Sequence, residues 1–318
     1  MRLGVTSNVF SDETMAACAD RLADFGVGTI ELSVDTGFRL VELDDLLDAE
    51  RRSELTKLLR RHGLDVSALS NHRDGQLVLG PHHEVTDGLY RGTAEEKRRY
   101  GVQRMKDTAR AAAAIGVDVV TGFVGCPDYS RWFHWPGQRG WDVHYEALAE
   151  AWTDILGVYR EYGIKFALEL HPKQVVYEPV GARRSLEIFG EFAEWGFNFD
   201  PGNLSLAGVD SVEFIREFGG RIWYVHAKDV EHARPVTRDH FIAYPQYGDI
   251  ARDLRFRVPG WGDLSWRTIL TELHLVGYDG VIAVENEDPT MGRSEGMRRG
   301  VEFLAPLLLE TEREPRWW

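Results

Sequence analysis

At 318 residues, with 43% hydrophobic and 28% charged side chains, the chain can bury a large core and is long enough for one α/β barrel with extended loops. Its 51 acidic residues against 37 basic ones give a net charge of −14, which repels phosphate backbones and anionic lipid and excludes nucleic acid and membrane as expected partners. No run approaches the ~20 apolar residues of a membrane span. The start, MRLGVTSNVF, reads as a strand rather than a leader, and the two cysteines, Cys18 and Cys126, offer no disulfide framework, so a cytoplasmic location is expected.

Taken in order, short apolar runs recur: LGVTSNV from residue 3, TIELSV from 29, LDVSALS from 64, VDVVTGFVG from 117, KFALEL from 165, FNFD from 197, IWYVHA from 222 and GVIAVEN from 280. Most are continuous rather than alternating, the pattern of strands covered on both faces of a parallel sheet. Segments of helical periodicity separate them. In the longest, Thr93 and Glu96 fit a capping box at the start and Gly116 closes the end, while Gly26, Gly63, Gly163, Gly196 and Gly277 sit at comparable strand-entry turns. Eight such alternations predict a single (β/α)₈ TIM barrel spanning residues 1–318; a doubly wound open sheet has the same alternation. Long connections follow strands 3, 4 and 7, on the face where barrels build their sites.

Four chemistry-bearing residues close successive runs: Glu169 near the end of KFALEL, Asp200 after FNF, His226 in IWYVHA and Glu285 after GVIAV. In a barrel these positions lie side by side on one rim. Three carboxylates that converge there repel one another unless they are protonated or share a cation. Three oxygen donors and one imidazole suit one divalent ion, Mn²⁺ foremost, with Mg²⁺ or Co²⁺ as alternatives, better than a structural zinc.

The motifs ELHP (169–172), NFDPGNL (198–204), VHAKD (225–229), RVPGWGDLSW (257–266) and VENEDP (284–289) resemble those of the xylose-isomerase-like barrel superfamily, the sugar phosphate isomerase/epimerase group. The resemblance implies that Glu169, Asp200, His226 and Glu285 hold the metal, that the two glutamates exchange protons with a substrate carbon, and that Arg257 contacts substrate oxygens. Many relatives carry a histidine where this chain has Asn203, so no proton-shuttling role passes to that position. A C–H bond beside a carbonyl becomes acidic when a Lewis acid stabilises the enediolate, and Glu169 and Glu285 could then remove and return the proton. Reprotonation gives epimerisation or isomerisation, and loss of a β-substituent gives elimination.

The expected activity is therefore that of a metal-dependent isomerase or epimerase on a keto-sugar or polyol ketone. The alternatives are a lyase on 3-oxo-glycosides, similar to C-glycoside deglycosidase catalytic subunits, and a non-catalytic sugar-binding barrel. His171 shares the inward register of Glu169 and resembles a histidine that lyase-type relatives use for proton transfer. His72, Lys228 and Trp135, the last in an aromatic-rich loop with Trp132, Phe133, His134 and Trp141, are further candidates for substrate contact. No Gly-rich phosphate cradle is present, so an unphosphorylated sugar or glycoside is expected. Partners expected besides substrate are a second copy of the chain or, for a lyase, a small β-sandwich subunit.

Overall fold

A computed structural model describes residues 1–132, 139–232 and 254–309. Among the described residues there are ten strands: β1 (Arg2–Thr6), β2 (Thr29–Ser33), β3 (Asp65–Asn71), β4 (Val119–Gly122), β5 (Lys165–Glu169), β6 (Trp195–Phe199), β7 (Ile222–Ala227), β8 (Asp229–His232), β9 (Leu254–Arg257) and β10 (Val281–Val284). Eight of them close into a parallel barrel in the order β1-β10-β7-β6-β5-β4-β3-β2, with helices between them. That closure excludes the open doubly wound sheet. All eight expected runs are barrel strands. The remaining pair, β8 and β9, forms an antiparallel hairpin that the apolar pattern did not reveal, because DVEH and LRFR are mostly polar.

Successive side chains of a strand alternate between the two faces of the sheet. Phe166 and Leu168 of β5, Phe197 and Phe199 of β6, Val225 and Ala227 of β7, and Ile282 and Val284 of β10 pack outward into the layer between sheet and helices. The intervening Ala167, Tyr224 and Ala283 join Ala68, Val119 and Val281 in a separate small cluster inside the barrel. Small interior residues leave the strands room to close. Carried two positions further, the same parity turns Glu169, His226 and Glu285 inward at the C-terminal mouth.

The local signals hold at most helix ends. Thr93 and Glu96 form the capping box, and Gly116 ends that helix in the left-handed conformation with φ 77°. Gly26, Gly63, Gly163 and Gly277 also take positive φ. Gly196 does not. It lies within β6, opposite Ala167, and a Cβ there would overlap the Trp223 indole and the Arg221 carbonyl. Close approach, not a turn, requires this glycine, and the strand starts two residues earlier than FNFD suggested.

Candidate metal centre

Glu169 ends β5, Asp200 follows β6, His226 lies in β7 and Glu285 follows β10, four adjacent staves of the barrel. One ligand-type atom from each lies within 4.8 Å of the others, and all four residues are buried. Asp200 is fixed by its own backbone. It caps the short helix Pro201–Leu206, accepting the Asn203 amide N–H at Oδ1. His226 Nδ1 stands 3.0 Å from Glu169 Oε2 and 3.4 Å from Glu285 Oε2, so the two glutamates meet at one imidazole edge.

Neighbouring donors hold the carboxylates in place. Glu169 Oε2 accepts from His72 Nε2 at 3.0 Å and from Asn198 Nδ2 at 2.9 Å, and Oε1 accepts from Asn203 Nδ2 at 2.6 Å. Asn203 therefore ties Glu169 to Asp200, whose Oδ2 it also reaches at 2.8 Å. The Lys228 ammonium lies 2.8 Å from Asp200, 2.9 Å from Glu285 and 3.3 Å from Glu287. Asn8 donates to Glu285 Oε1 at 3.3 Å.

These contacts separate the acidities. Burial alone would raise Glu169, but His72 and His226 hold it well below the ordinary carboxylate range. Burial would likewise raise Glu285, and Lys228 and His226 bring it down to about 2. Asp200 goes the other way. Burial lifts it to about 7 despite Lys228, with Glu169 and Glu285 adding to the rise. Two flanking carboxylates are thus held ionised, while the one between them takes up a proton more readily and gives it up to a cation.

The donor set fits a divalent ion. Three hard oxygen ligands and an imidazole converge from elements rigidly set by the barrel, and Lys228 supplies one positive charge where the carboxylates supply three negative ones. Buried Oδ1 atoms of Asn198 and Asn203 have no hydrogen-bond partner among the described residues, so polar capacity remains in and around the cluster.

A cavity of about 280 Å³ opens above the cluster, lined on the acidic side by Glu31, Asp35, Glu169, Glu285 and Glu287. His72, His171 and Lys228 line it too. The His171 ring centroid lies 5.0 Å from that of Phe123 and its Nδ1 is 2.7 Å from the Pro172 carbonyl, while burial lowers its pKa to about 4, which keeps the ring neutral.

Arg257 is placed differently. Its guanidinium is held by Glu231 and by Asp288 at 2.8 Å, and it does not line this cavity. The turn that follows it is organised instead by buried Asp229, which accepts N–H bonds from Gly260, Leu264 and the Trp266 indole. Trp135, Phe133 and His134 lie outside the described residues. Trp141 of the same loop packs edge-on against His144 and Tyr177 and donates to the Val175 carbonyl, so it serves the loop's own core. Cys126 is buried, and burial pushes its thiol up to about 12, which leaves it inert.

Glu31, Asn198, Asn8 and Asp35 were not singled out from sequence. A signal existed for Glu31: a lone acid inside an apolar run, flanked by outward-facing Ile30 and Leu32, must face the barrel interior.

Residues 19–307 match the family profile described as xylose isomerase-like TIM barrel. The chain is 27% identical over 296 residues to the uncharacterized protein YfiH of Bacillus subtilis, covering 89% of this chain and 91% of YfiH. An inosose dehydratase of Clostridium perfringens is 28% identical over 153 residues, 47% of this chain and 50% of the dehydratase. Among solved structures, the 3-keto-D-glucoside 4-epimerase YcjR of E. coli superposes with a TM-score of 0.66 at 15% identity, over 96% of this chain and 99% of YcjR. No helix among the described residues is long and apolar enough to cross a membrane.

Proposed function

The chain belongs to the xylose isomerase-like TIM barrel family, and on that premise we propose that it is a divalent-metal-dependent enzyme that moves protons beside the carbonyl of a keto-sugar or polyol ketone, as an isomerase or epimerase. One observation carries this reading. The two carboxylates held most strongly in the ionised form, Glu169 and Glu285, stand at the two ends of the arc β5-β6-β7-β10, with Asp200 and His226 between them, beneath a sugar-sized cavity.

Glu169, Asp200, His226 and Glu285 would hold the ion. When bound, it supplies Lewis-acid stabilisation of the negative charge that develops on substrate oxygens. Glu169 takes the proton from the carbon at one face of the substrate and, now protonated, can return it to the neighbouring carbon; for epimerisation Glu285 first takes up a proton from solvent and delivers it to the opposite face. His72, Asn198 and Asn203 keep the Glu169 carboxylate fixed in orientation, and Lys228 does the same for Glu285. A preorganised pair of this kind reacts without first rearranging its hydrogen bonds.

A second reading, elimination from the same deprotonated substrate, is favoured by the similarity to an inosose dehydratase and by two histidines on the cavity wall. His72 could protonate a leaving hydroxyl or aglycone: burial opposes its charge, but Glu169 and Asp35 raise its basicity. The test is incubation of the Mn²⁺-loaded protein with ketoses, inososes and 3-oxo-glycosides in D₂O. Deuterium next to the carbonyl with a new epimer or isomer supports the first reading. Loss of water or aglycone selects the second, and no exchange on any substrate overturns both in favour of a sugar-binding barrel.

A further inference from the structure

The two ring nitrogens of His226 keep different company. Nδ1 faces the ligand cluster, 3.0 Å from Glu169 Oε2. Nε2 faces away from those contacts and lies 2.8 Å from Glu31 Oε2. Glu31 belongs to β2, which is separated from β7 by β10 and β1 in the closed barrel, so only closure brings the two side chains together. The Glu31 side chain is 2% exposed, and its other oxygen accepts from Thr121 Oγ1 at 3.3 Å. The Tyr224 ring stands edge-on to the imidazole at 5.8 Å and walls off the inner side.

A carboxylate in so enclosed a position costs several kcal/mol unless a donor meets it, and none of the steps above uses Glu31. Its geometry is that of a group acting through the imidazole. A neutral imidazole has one N–H and one lone pair, and whichever nitrogen donates leaves the other to bind a cation. We propose that Glu31 is a positioning residue for His226. By accepting the Nε2 proton it selects the tautomer whose Nδ1 lone pair points at the space shared by Glu169, Asp200 and Glu285. It also prevents the ring from turning over about its Cβ–Cγ bond, and its charge makes Nδ1 a stronger donor. Thr121 in turn fixes the Glu31 carboxylate, so the alignment is set by three strands, β2, β4 and β7. This role rests on the metal reading and adds a residue that acts on the ion only through its ligand.

The experiment measures binding rather than turnover. Metal-free protein is titrated with Co²⁺, followed by the visible absorption of the bound ion, for the wild type, Glu31→Gln and Glu31→Leu. Imidazole-¹⁵N spectra of the Zn²⁺-loaded proteins report which nitrogen of His226 carries the proton. The wild type should take up about one ion per chain with Nε2 protonated. Loss of an outer carboxylate partner should weaken binding by about 10–100-fold, with Glu31→Gln, which keeps an acceptor oxygen, less affected than Glu31→Leu. Should the leucine variant fail to fold, the isosteric glutamine variant alone decides. Equal Co²⁺ affinity in wild type and Glu31→Gln, or an unprotonated Nε2 in the loaded wild type, overturns the positioning role while leaving the metal centre intact. A wild type that binds no Co²⁺ removes the metal centre itself, and the role of Glu31 with it.

Discussion

The barrel has two mouths, and each holds a cavity. The N-terminal one, about 380 Å³, is lined by Arg2, Lys165, Asp118 and the turns around Gly219 and Gly277. The C-terminal one is smaller, about 280 Å³. Their charges differ in kind. At the N-terminal mouth Arg2 pairs with Asp65 with both side chains about 60% exposed, and Lys165 lies over the Trp223 ring at 4.7 Å. Such a pair is worth roughly 0–1 kcal/mol. At the C-terminal mouth Lys228, with 3% exposure, touches three carboxylates, and two histidines meet Glu169. Volume therefore does not locate the chemistry of this fold. Desolvated charges forced together do, because their mutual contacts shift their acidities and give them a use for a cation.

Replacing the bases should break the symmetry between the mouths most visibly. Glu169→Gln and Glu285→Gln should each lower deuterium exchange into substrate by about 10²–10⁴-fold with the folded far-ultraviolet spectrum retained. Arg2→Ala and Lys165→Ala should stay within about twofold of the wild type. Exchange that survives either glutamine, or disappears with either alanine, would place the chemistry elsewhere.

Lys228→Met comes next. It leaves the buried Asp200 and Glu285, and the more exposed Glu287, without their common cation. Denaturant unfolding of the metal-free protein should show a loss of about 3–5 kcal/mol, and saturating Mn²⁺ should restore most of it by taking over the neutralisation. If Mn²⁺ restores nothing, the ion does not bind among those carboxylates.

A pH series sharpens the contrast further. Asp200, raised to about 7, binds its proton more tightly in the folded chain than in the unfolded one. From the ordinary carboxylate range up to about pH 7 it therefore makes the metal-free fold less stable as pH rises. A divalent ion must displace that proton and also the one that Glu31, Glu285 and Glu169 hold on His226 against the effect of burial, so Mn²⁺ affinity should climb with pH by up to about tenfold per pH unit for each proton displaced. Thermal shift with and without Mn²⁺ from pH 5 to 8 reads this directly, and Asp200→Asn should make the slope shallower.

Much of this was legible in the chain because barrel strands are local: each apolar run names its own strand, and the residue that breaks its outward register names the rim. Glu169, Asp200, His226 and Glu285 each stand at such a break. Glu31 and Asn198 were harder to see, since they interrupt runs in mid-strand, and their partner His226 is 195 and 28 residues away. Arg257 is the opposite case. Its motif was visible, but whether a guanidinium faces substrate or is held by Glu231 and Asp288 depends on where two distant acids fall. The β8–β9 hairpin escaped because short polar strands have no apolar period to read.

The smallest expected effect tests the quiet mouth alone. Gly196 lies on β6 two residues before Asn198, and an added methyl would press on the Trp223 indole and the Arg221 carbonyl, a ring and a backbone atom with little room to yield. Gly196→Ala should cost about 1–3 kcal/mol of unfolding free energy by overpacking. Because Trp223 lines the N-terminal cavity and not the one above the metal-site residues, Co²⁺ affinity and deuterium exchange per folded molecule should be unchanged. Measured together, an intact site in a weakened fold would show that the lower half of the barrel acts as packed support. A parallel fall in metal affinity would mean instead that strain at Gly196 is transmitted along β6 to Asn198 and Asp200, and that the two mouths are mechanically one.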